Sequence, residues 1–330
     1  MTTVSAKAEL LARIRAEVSR GRRFLLASHA RPDGDAVGSA LALAFALRAL
    51  GKQAHVVSRD PVPAPFLPFP GAAEIEVTDR AEGDFDAAFL LECGDASRPG
   101  IAGLDRYRLV NIDHHPGNTT YGAINWFDET ASACGEMVLE LIDALGVPLT
   151  TPIATNIYLA ILTDTGSFRH SHITARTFEM CRRAVEAGVD PAAVARQVYD
   201  TGSLGKLKLT GALLARMRLE ADGRLAVLHL DDGLLRECGA TYDDTDGLIN
   251  LPLEAGQVEA VAMFKTVDGP GELRVSLRSK GDVDVRAVAE RHGGGGHRNA
   301  AGFTLAPPPA DAQVRVVAEM AAALHAARDR

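Results

Sequence analysis

Short apolar runs alternate with longer apolar or amphipathic stretches through the first half of the chain. Phe24-Leu25-Leu26-Ala27-Ser28 is a compact apolar run and reads as a buried strand. Residues 35–50, DAVGSALALAFALRAL, predict a helix, and Gly51 stands where that helix should end. Gln53–Ser58 predicts a second strand, and Ala87–Leu91 and residues 109–112 predict two central ones. Further helices are expected over 131–145 and 152–163. The stretch 61–71, PVPAPFLPFPG, reads as an ordered loop without regular structure, because proline lacks the amide donor and fixes φ. Ahead of all this, Leu10, Leu11, Ile14 and Val18 fall on one face of a charged N-terminal helix. Apolar strands alternating with helices predict an α/β domain, a parallel sheet with helices on both faces.

The texture then changes. Residues 174–218 read as helical throughout, with Asp190-Pro191 as a helix start. This divides the chain into a first domain over 1–190, a helical linker over 191–220 and a smaller α+β domain over 221–330. In that last part Asp222-Gly223 reads as a hairpin turn, and Asp268-Gly269 joins a strand at 258–266 to one at Glu272–Ser279 in the same way. A helix at 284–292, a glycine run at 293–296 and a closing helix at 310–328 complete it.

With 330 residues, 47% of them hydrophobic, the chain can bury two cores. No run of about 18 apolar residues is free of polar breaks, so no membrane span is expected and a cytoplasmic location is the default. Cys93, Cys134, Cys181 and Cys238 are scattered without metal-type spacing and read as reduced thiols. The formal charge of −8 argues against binding long duplex nucleic acid, which needs a basic surface. A small phosphate-bearing substrate remains compatible with it, and two bound divalent cations would bring −8 + 4 = −4.

Chemistry concentrates where apolar runs end. Ser28-His29-Ala30-Arg31-Pro32-Asp33-Gly34-Asp35 joins the first strand to the first long apolar helix, the place where open parallel sheets bind ligands. One imidazole and two carboxylates make a mixed N/O set suited to Mn²⁺ or a similar ion. The alternative is a solvated turn in which Asp35 merely caps the helix. Asp95 follows the run 87–91, Asp113-His114-His115 follows 109–112, and Asp164 follows 157–162. Carboxylates gathered at the ends of buried elements are costly unless cations offset them.

These motifs, in this order, resemble the DHH phosphoesterases. Val275-Ser276-Leu277-Arg278-Ser279 and Gly293-Gly294-Gly295-Gly296-His297-Arg298-Asn299 resemble their DHHA1 domain. The resemblance spans about residues 20 to 305. Within the family it points to the compact, RecJ-like nanoRNase type: bifunctional oligoribonucleases that also act on 3′-phosphoadenosine 5′-phosphate. It implies two divalent ions, Mn²⁺ first with Mg²⁺ or Co²⁺ as alternatives. His29 and Asp33 would hold one ion, Asp35, His114 and Asp164 the other, and Asp95 would bridge them. Asp113 would orient a histidine, and His115 would stand beside the scissile phosphate. Arg278, His297 and the backbone of Gly294, Gly295 and Gly296 would grip the substrate, a short oligoribonucleotide or small nucleotide.

Arg169 and His170 face either the substrate or the surface. The run 293–296 is either such a binding turn or a plain flexible linker. Glu92 departs from the family pattern around the expected bridging aspartate, and its role is left open. Trp126 and Phe127 are expected to pack in the core rather than stack on a base. His55, His172, His229, His292 and His325 are expected to be structural or solvated. Rival readings are a cyclic or linear dinucleotide phosphodiesterase on the same residues, and an inactive nucleotide-binding regulator. Subunit count is left open, with a homodimer as one outcome.

Overall fold

The computed structural model describes residues 3–169, 173–245, 247–267, 271–305 and 311–328. The expected turn at Asp268-Gly269, His170 and His172 lie outside the described residues. The chain forms two compact units, Met1–Thr201 and Gly202–Arg330.

In the first unit the elements run α1 (Thr3–Arg20), β1 (Arg23–Ala27), α2 (Gly34–Ala49), β2 (Gln53–Ser58), β3 (Glu76–Val77), β4 (Ala87–Leu91), β5 (Leu109–Asp113), β6 (Ile124–Phe127), α3 (Cys134–Leu145), α4 (Thr151–Asp164), α5 (Ala175–Glu186) and α6 (Pro191–Tyr199). The strands pair in parallel in the order β3-β2-β1-β4-β5-β6. Strand order therefore reverses between β1 and β4, which opens a crevice beyond their carboxyl ends.

Alternate side chains of each strand face opposite ways. Phe24, Leu26, Phe89 and Leu91 pack with buried residues of α1 to α6 in one large core. Leu25, Ala27, Ala88 and Leu90 pack instead with Ala81, Ile101, Leu104 and Phe85, which come from loops and a 3₁₀ turn at Leu104–Arg106. So the α/β layout stands, but the helices expected on both faces gather on one. The connection from β4 to β5 holds no α-helix. The proline-rich stretch is a loop as expected, apart from one 3₁₀ turn at Ala64–Phe66. Strand β6 is an element beyond those expected, four residues long, with Trp126 buried in the core and Phe127 half-buried.

The stretch read as one long helical region is broken by Gly188, at φ +98°, and again around Gly202. Asp190 does start α6, accepting hydrogen bonds from the amides of Ala192 and Ala193. The segment 191–220 is divided between the units. Helix α6 packs on α4, while α7 (Leu204–Ala215) packs on the second unit's own β8 and α8.

The second unit continues with β7 (Arg218–Glu220), β8 (Leu225–Leu230), α8 (Asp232–Cys238), β9 (Ala260–Val267), β10 (Glu272–Ser279), α9 (Arg286–Arg291), β11 (Gly295–His297), β12 (Ala300–Leu305) and α10 (Ala312–Arg328). Its sheet runs β11-β12-β10-β9-β8-β7, antiparallel except for the β8–β9 pair. The turn at Asp222-Gly223 joins β7 to β8, both residues at positive φ. One face packs on α9 and α10, and the β8–β9 part of the other packs on α7 and α8.

Candidate metal centre

Helix α2 begins where β1 ends. Asp33, not Asp35, is its N-cap, accepting from the Ala36 amide at 3.0 Å. Asp35 is thereby turned inward, and only 1% of it is exposed. Its Oδ2 accepts from the Cys134 amide at 2.6 Å, and its Oδ1 from the Gly135 amide at 3.1 Å and the Ser39 hydroxyl at 2.6 Å. A buried carboxylate is tolerable there because the unpaired amides at the start of α3 face it.

Helix α4 must approach α2 closely to bring its last residue, Asp164, to the same place. Glycines permit this. A Cβ on Gly34 would stand 2.5 Å from the Thr163 side chain, and one on Gly38 would stand 2.4 Å from the Asn156 carbonyl.

His114 follows β5 and is the centre of the cluster. Its Nδ1 lies 2.9 Å from the Ala131 carbonyl, which can only accept, so the Nδ1 proton is committed. Its Nε2 then faces three carboxylates: Glu92 Oε1 at 3.1 Å, Asp164 Oδ2 at 3.4 Å and Asp35 Oδ2 at 3.9 Å. Nε2 and Glu92 Oε1 are both buried and neither makes a hydrogen bond. In a neutral ring this sets a nitrogen lone pair among oxygen lone pairs. Only a proton or a cation resolves that repulsion. Burial opposes charging His114, but Glu92 and Asp35 outweigh it and push its pKa up to about 10. Burial and the charge of Asp35 push Asp164 up to about 6 and drive Glu92 upward as well. The donor atoms of Asp35, His114 and Asp164 lie within 4.8 Å of one another, and so do those of Glu92, His114 and His115. The residues present therefore fit a divalent cation.

His29, which is 8% exposed, repeats the pattern on a smaller scale. Its Nδ1 lies 2.9 Å from the Ala30 carbonyl, and its Nε2 lies 3.6 Å from Asp33 Oδ2. The charge of Asp33 acts on Asp164 and that of His115 on Asp33, so the His29–Asp33 pair is within electrostatic reach of the cluster. Asp113 is fully buried, and its Oδ1 lies 2.9 Å from Nδ1 of the half-buried His115.

Asp95 is not brought to the cluster. It is exposed, and its carboxylate holds its own loop through the Ser97 amide at 2.8 Å and the Ser97 hydroxyl at 2.6 Å. The carboxylate that β4 does deliver is Glu92, which sequence reasoning left without a role. Its backbone adopts φ +60° just past the strand, and that turns the side chain into the site. Two acids three residues apart gave no sign of which the chain would turn inward. Arg169 is exposed, with Nε 2.8 Å from the Gly166 carbonyl.

In the second unit, Arg278 and His297 both pair with Ala300 across β12, so they share one row on one face of the sheet. The glycine run is not a free linker. A Cβ on Gly294 would stand 2.2 Å from the Gly302 carbonyl, and one on Gly296, at φ +139°, 2.4 Å from that of Ala300, whereas Gly295 has open space. His229 and His292 stack on Phe264 and Phe303, in keeping with structural roles.

Comparison with known proteins gives a consistent picture. The pattern described as the DHH family, N-terminal domain, matches residues 23–161, and the DHHA1 domain matches 224–326. A Thermus thermophilus protein named bifunctional oligoribonuclease and PAP phosphatase NrnA is 34% identical over 85% of this chain and 83% of its own length. A Bacillus subtilis protein of the same name is 30% identical over 86% of this chain and 89% of its own. The crystal structure of an exopolyphosphatase-related protein from Bacteroides fragilis superposes with a TM-score of 0.81 at 25% identity, over 95% of this chain and 96% of that one.

Proposed function

This chain belongs to the DHH family, with a DHHA1 domain in its second half, and from that membership we propose that it is a metal-dependent phosphoesterase. Its substrates are short oligoribonucleotides, cut to nucleoside monophosphates, and 3′-phosphoadenosine 5′-phosphate, which loses its 3′-phosphate. The observation that carries this reading is the His114 Nε2, buried without a hydrogen bond among the carboxylates of Glu92, Asp35 and Asp164.

Asp35, His114 and Asp164 would hold one divalent ion, and His29 with Asp33 a second. Glu92, whose two oxygens face His114 and His115, would serve as the shared carboxylate in place of Asp95. The N/O donor set favours Mn²⁺, with Mg²⁺ or Co²⁺ as substitutes. When bound, such a pair of ions supplies the Lewis acidity that activates a water and offsets charge on the phosphoryl oxygens.

The chain's own side chains do the rest. Asp113 fixes the His115 ring through Nδ1, and in the doubly protonated ring Nε2 would donate to a phosphoryl oxygen as its charge grows. Ala131 and Ala30 fix the rings of His114 and His29 through their carbonyls. Arg278 and His297, in one cross-strand row, bind a nucleotide or its terminal phosphate, and the backbone of Gly294, Gly295 and Gly296 lets an anion approach. Arg169 is exposed and bonds to its own turn at the Gly166 carbonyl, so it carries no part of this reading.

The test is a panel of short RNA, 3′-phosphoadenosine 5′-phosphate and cyclic dinucleotides, each with manganese and with chelator. Manganese-dependent release of mononucleotide from RNA and of phosphate from 3′-phosphoadenosine 5′-phosphate is expected. Cleavage of cyclic dinucleotides alone, or of nothing with any divalent metal, would overturn it.

A further inference from the structure

Glu92 reaches the cluster only because the chain leaves the sheet abruptly. Its amide still donates to the Ile112 carbonyl at 3.1 Å, as part of the β4–β5 pairing, and then its φ turns to +60°. A glutamate adopts that conformation only where its surroundings hold it. The restraint is a polar clamp on the next carbonyl. Cys93 O accepts from Asn111 Nδ2 at 3.0 Å and from the Tyr121 hydroxyl at 3.0 Å. Asn111 is fully buried, and its Nδ2 also lies 2.9 Å from the Tyr121 oxygen.

Asn118 closes the clamp and joins it to the histidines. Its Nδ2 donates to Asn111 Oδ1 at 2.8 Å and to Asp113 Oδ2 at 2.6 Å. Its Oδ1 accepts from the Thr120 amide at 2.8 Å, and the Thr119 amide ties the same turn to the Gly94 carbonyl at 2.8 Å. Both amide protons of Asn118 are thus spent between acceptors on either side, which fixes the orientation of the group. One side leads through Asn111 and Cys93 to Glu92, the other through Asp113 to His115.

We infer that Asn118 is a positioning residue, which sets the Glu92 carboxylate and the Asp113–His115 pair in register as one unit. The inference rests on the metal-dependent reading of the site. An aspartate at 118 has nearly the same shape but cannot donate. It would place a carboxylate against Asp113 and remove the link to Asn111 together.

Three variants test this, Asn118→Asp, Asn118→Ala and Tyr121→Phe. The measurements are melting of the metal-free protein, manganese affinity and stoichiometry by calorimetry, and kcat and KM on short RNA. Asn118→Asp should weaken manganese binding by about tenfold or more and lower kcat far more than it alters KM, as loss of a partner behind a metal ligand does. Tyr121→Phe removes one hydroxyl that touches neither Asp113 nor a histidine, and should weaken manganese binding in the same direction by less. If the Asn118 variants do not fold, Tyr121→Phe decides alone. Variants that melt lower but bind manganese and turn over as the parent does would overturn the inference by itself. A parent protein that binds no manganese would overturn the functional reading and the inference with it.

Discussion

Asp95 and Glu92 stand three residues apart after the same strand, and only the second reaches the cluster around His114. Asp95→Ala is expected to keep manganese binding and most of its turnover, because its carboxylate bonds to Ser97 at the surface. Glu92→Gln keeps the shape and removes the charge, and should lower manganese affinity by about ten- to a hundredfold, read by calorimetry. The reverse ranking would restore the assignment made from motif order. That Asp35, His114 and Asp164 gather was legible because His114 and Asp164 each follow an apolar run and Asp35 opens the apolar helix α2. Glu92 was not, because a positive φ at a glutamate leaves no mark in composition or spacing. Protonation follows from the same cluster. A carboxyl raised to about 6, as in Asp164, costs folded stability as pH climbs from its usual 3.8. A histidine raised to about 10, as in His114, stabilises the fold fully below 6.5 and loses that contribution as pH climbs toward 10. Both trends weaken the metal-free protein as pH rises, and a cation that displaces these protons binds more tightly over the same range. The Tm gap between manganese-loaded and chelator-treated protein should therefore widen from about pH 6 to about pH 9. A gap that stayed constant or narrowed would mean that these protons are not the ones displaced.

Elements deliver these residues only if α2, α3 and α4 pack closely. Gly38 lies against the Asn156 carbonyl and Gly135 against Ala160, where a Cβ would stand 2.5 Å from the alanine's own. Gly38→Ala should cost about 1–3 kcal/mol through overpacking. Since backbone must move to admit the methyl, it should also separate Asp35 from Asp164 and weaken manganese binding, although neither residue is changed. A fall in Tm with manganese affinity intact would show that the site tolerates a shifted α2. Most elements were legible here, since β1, β2, β4, β5 and the main helices carry apolar runs of the right length. The one-sided helical cover was not, because it depends on what residues 92–108 do. That connection covers the second face with a 3₁₀ turn and the side chains of Ile101 and Leu104, and no helical periodicity announces it. Strand β6 was not legible, because four residues with alternating burial are too few to show a period.

At the scale of the whole molecule, the proposed function divides the chemistry between two units. The first gathers carboxylates and imidazoles at the point where strand order reverses, and the second carries Arg278 and His297 in one row on either side of Ala300. That there are two units was legible in the change of pattern along the chain. The place where the units part was less so, because helix α6 carries the same amphipathic pattern as a linker would yet packs on α4. Separation of roles has a kinetic consequence. On the proposed function, Arg278 and His297 bind the substrate away from the reacting phosphorus, so Arg278→Ala and His297→Ala should each raise KM more than they lower kcat. The change should be large for a short RNA and small for a simple aryl phosphodiester, which has no nucleotide for those side chains to hold. Manganese affinity and stoichiometry should stay at the parent values, since no ligand of the first unit is touched. If either variant lowered kcat equally on both substrates, or lost manganese, then the second unit would contribute to the ion site or to the reacting centre itself, and the division of labour between the two domains would have to be given up.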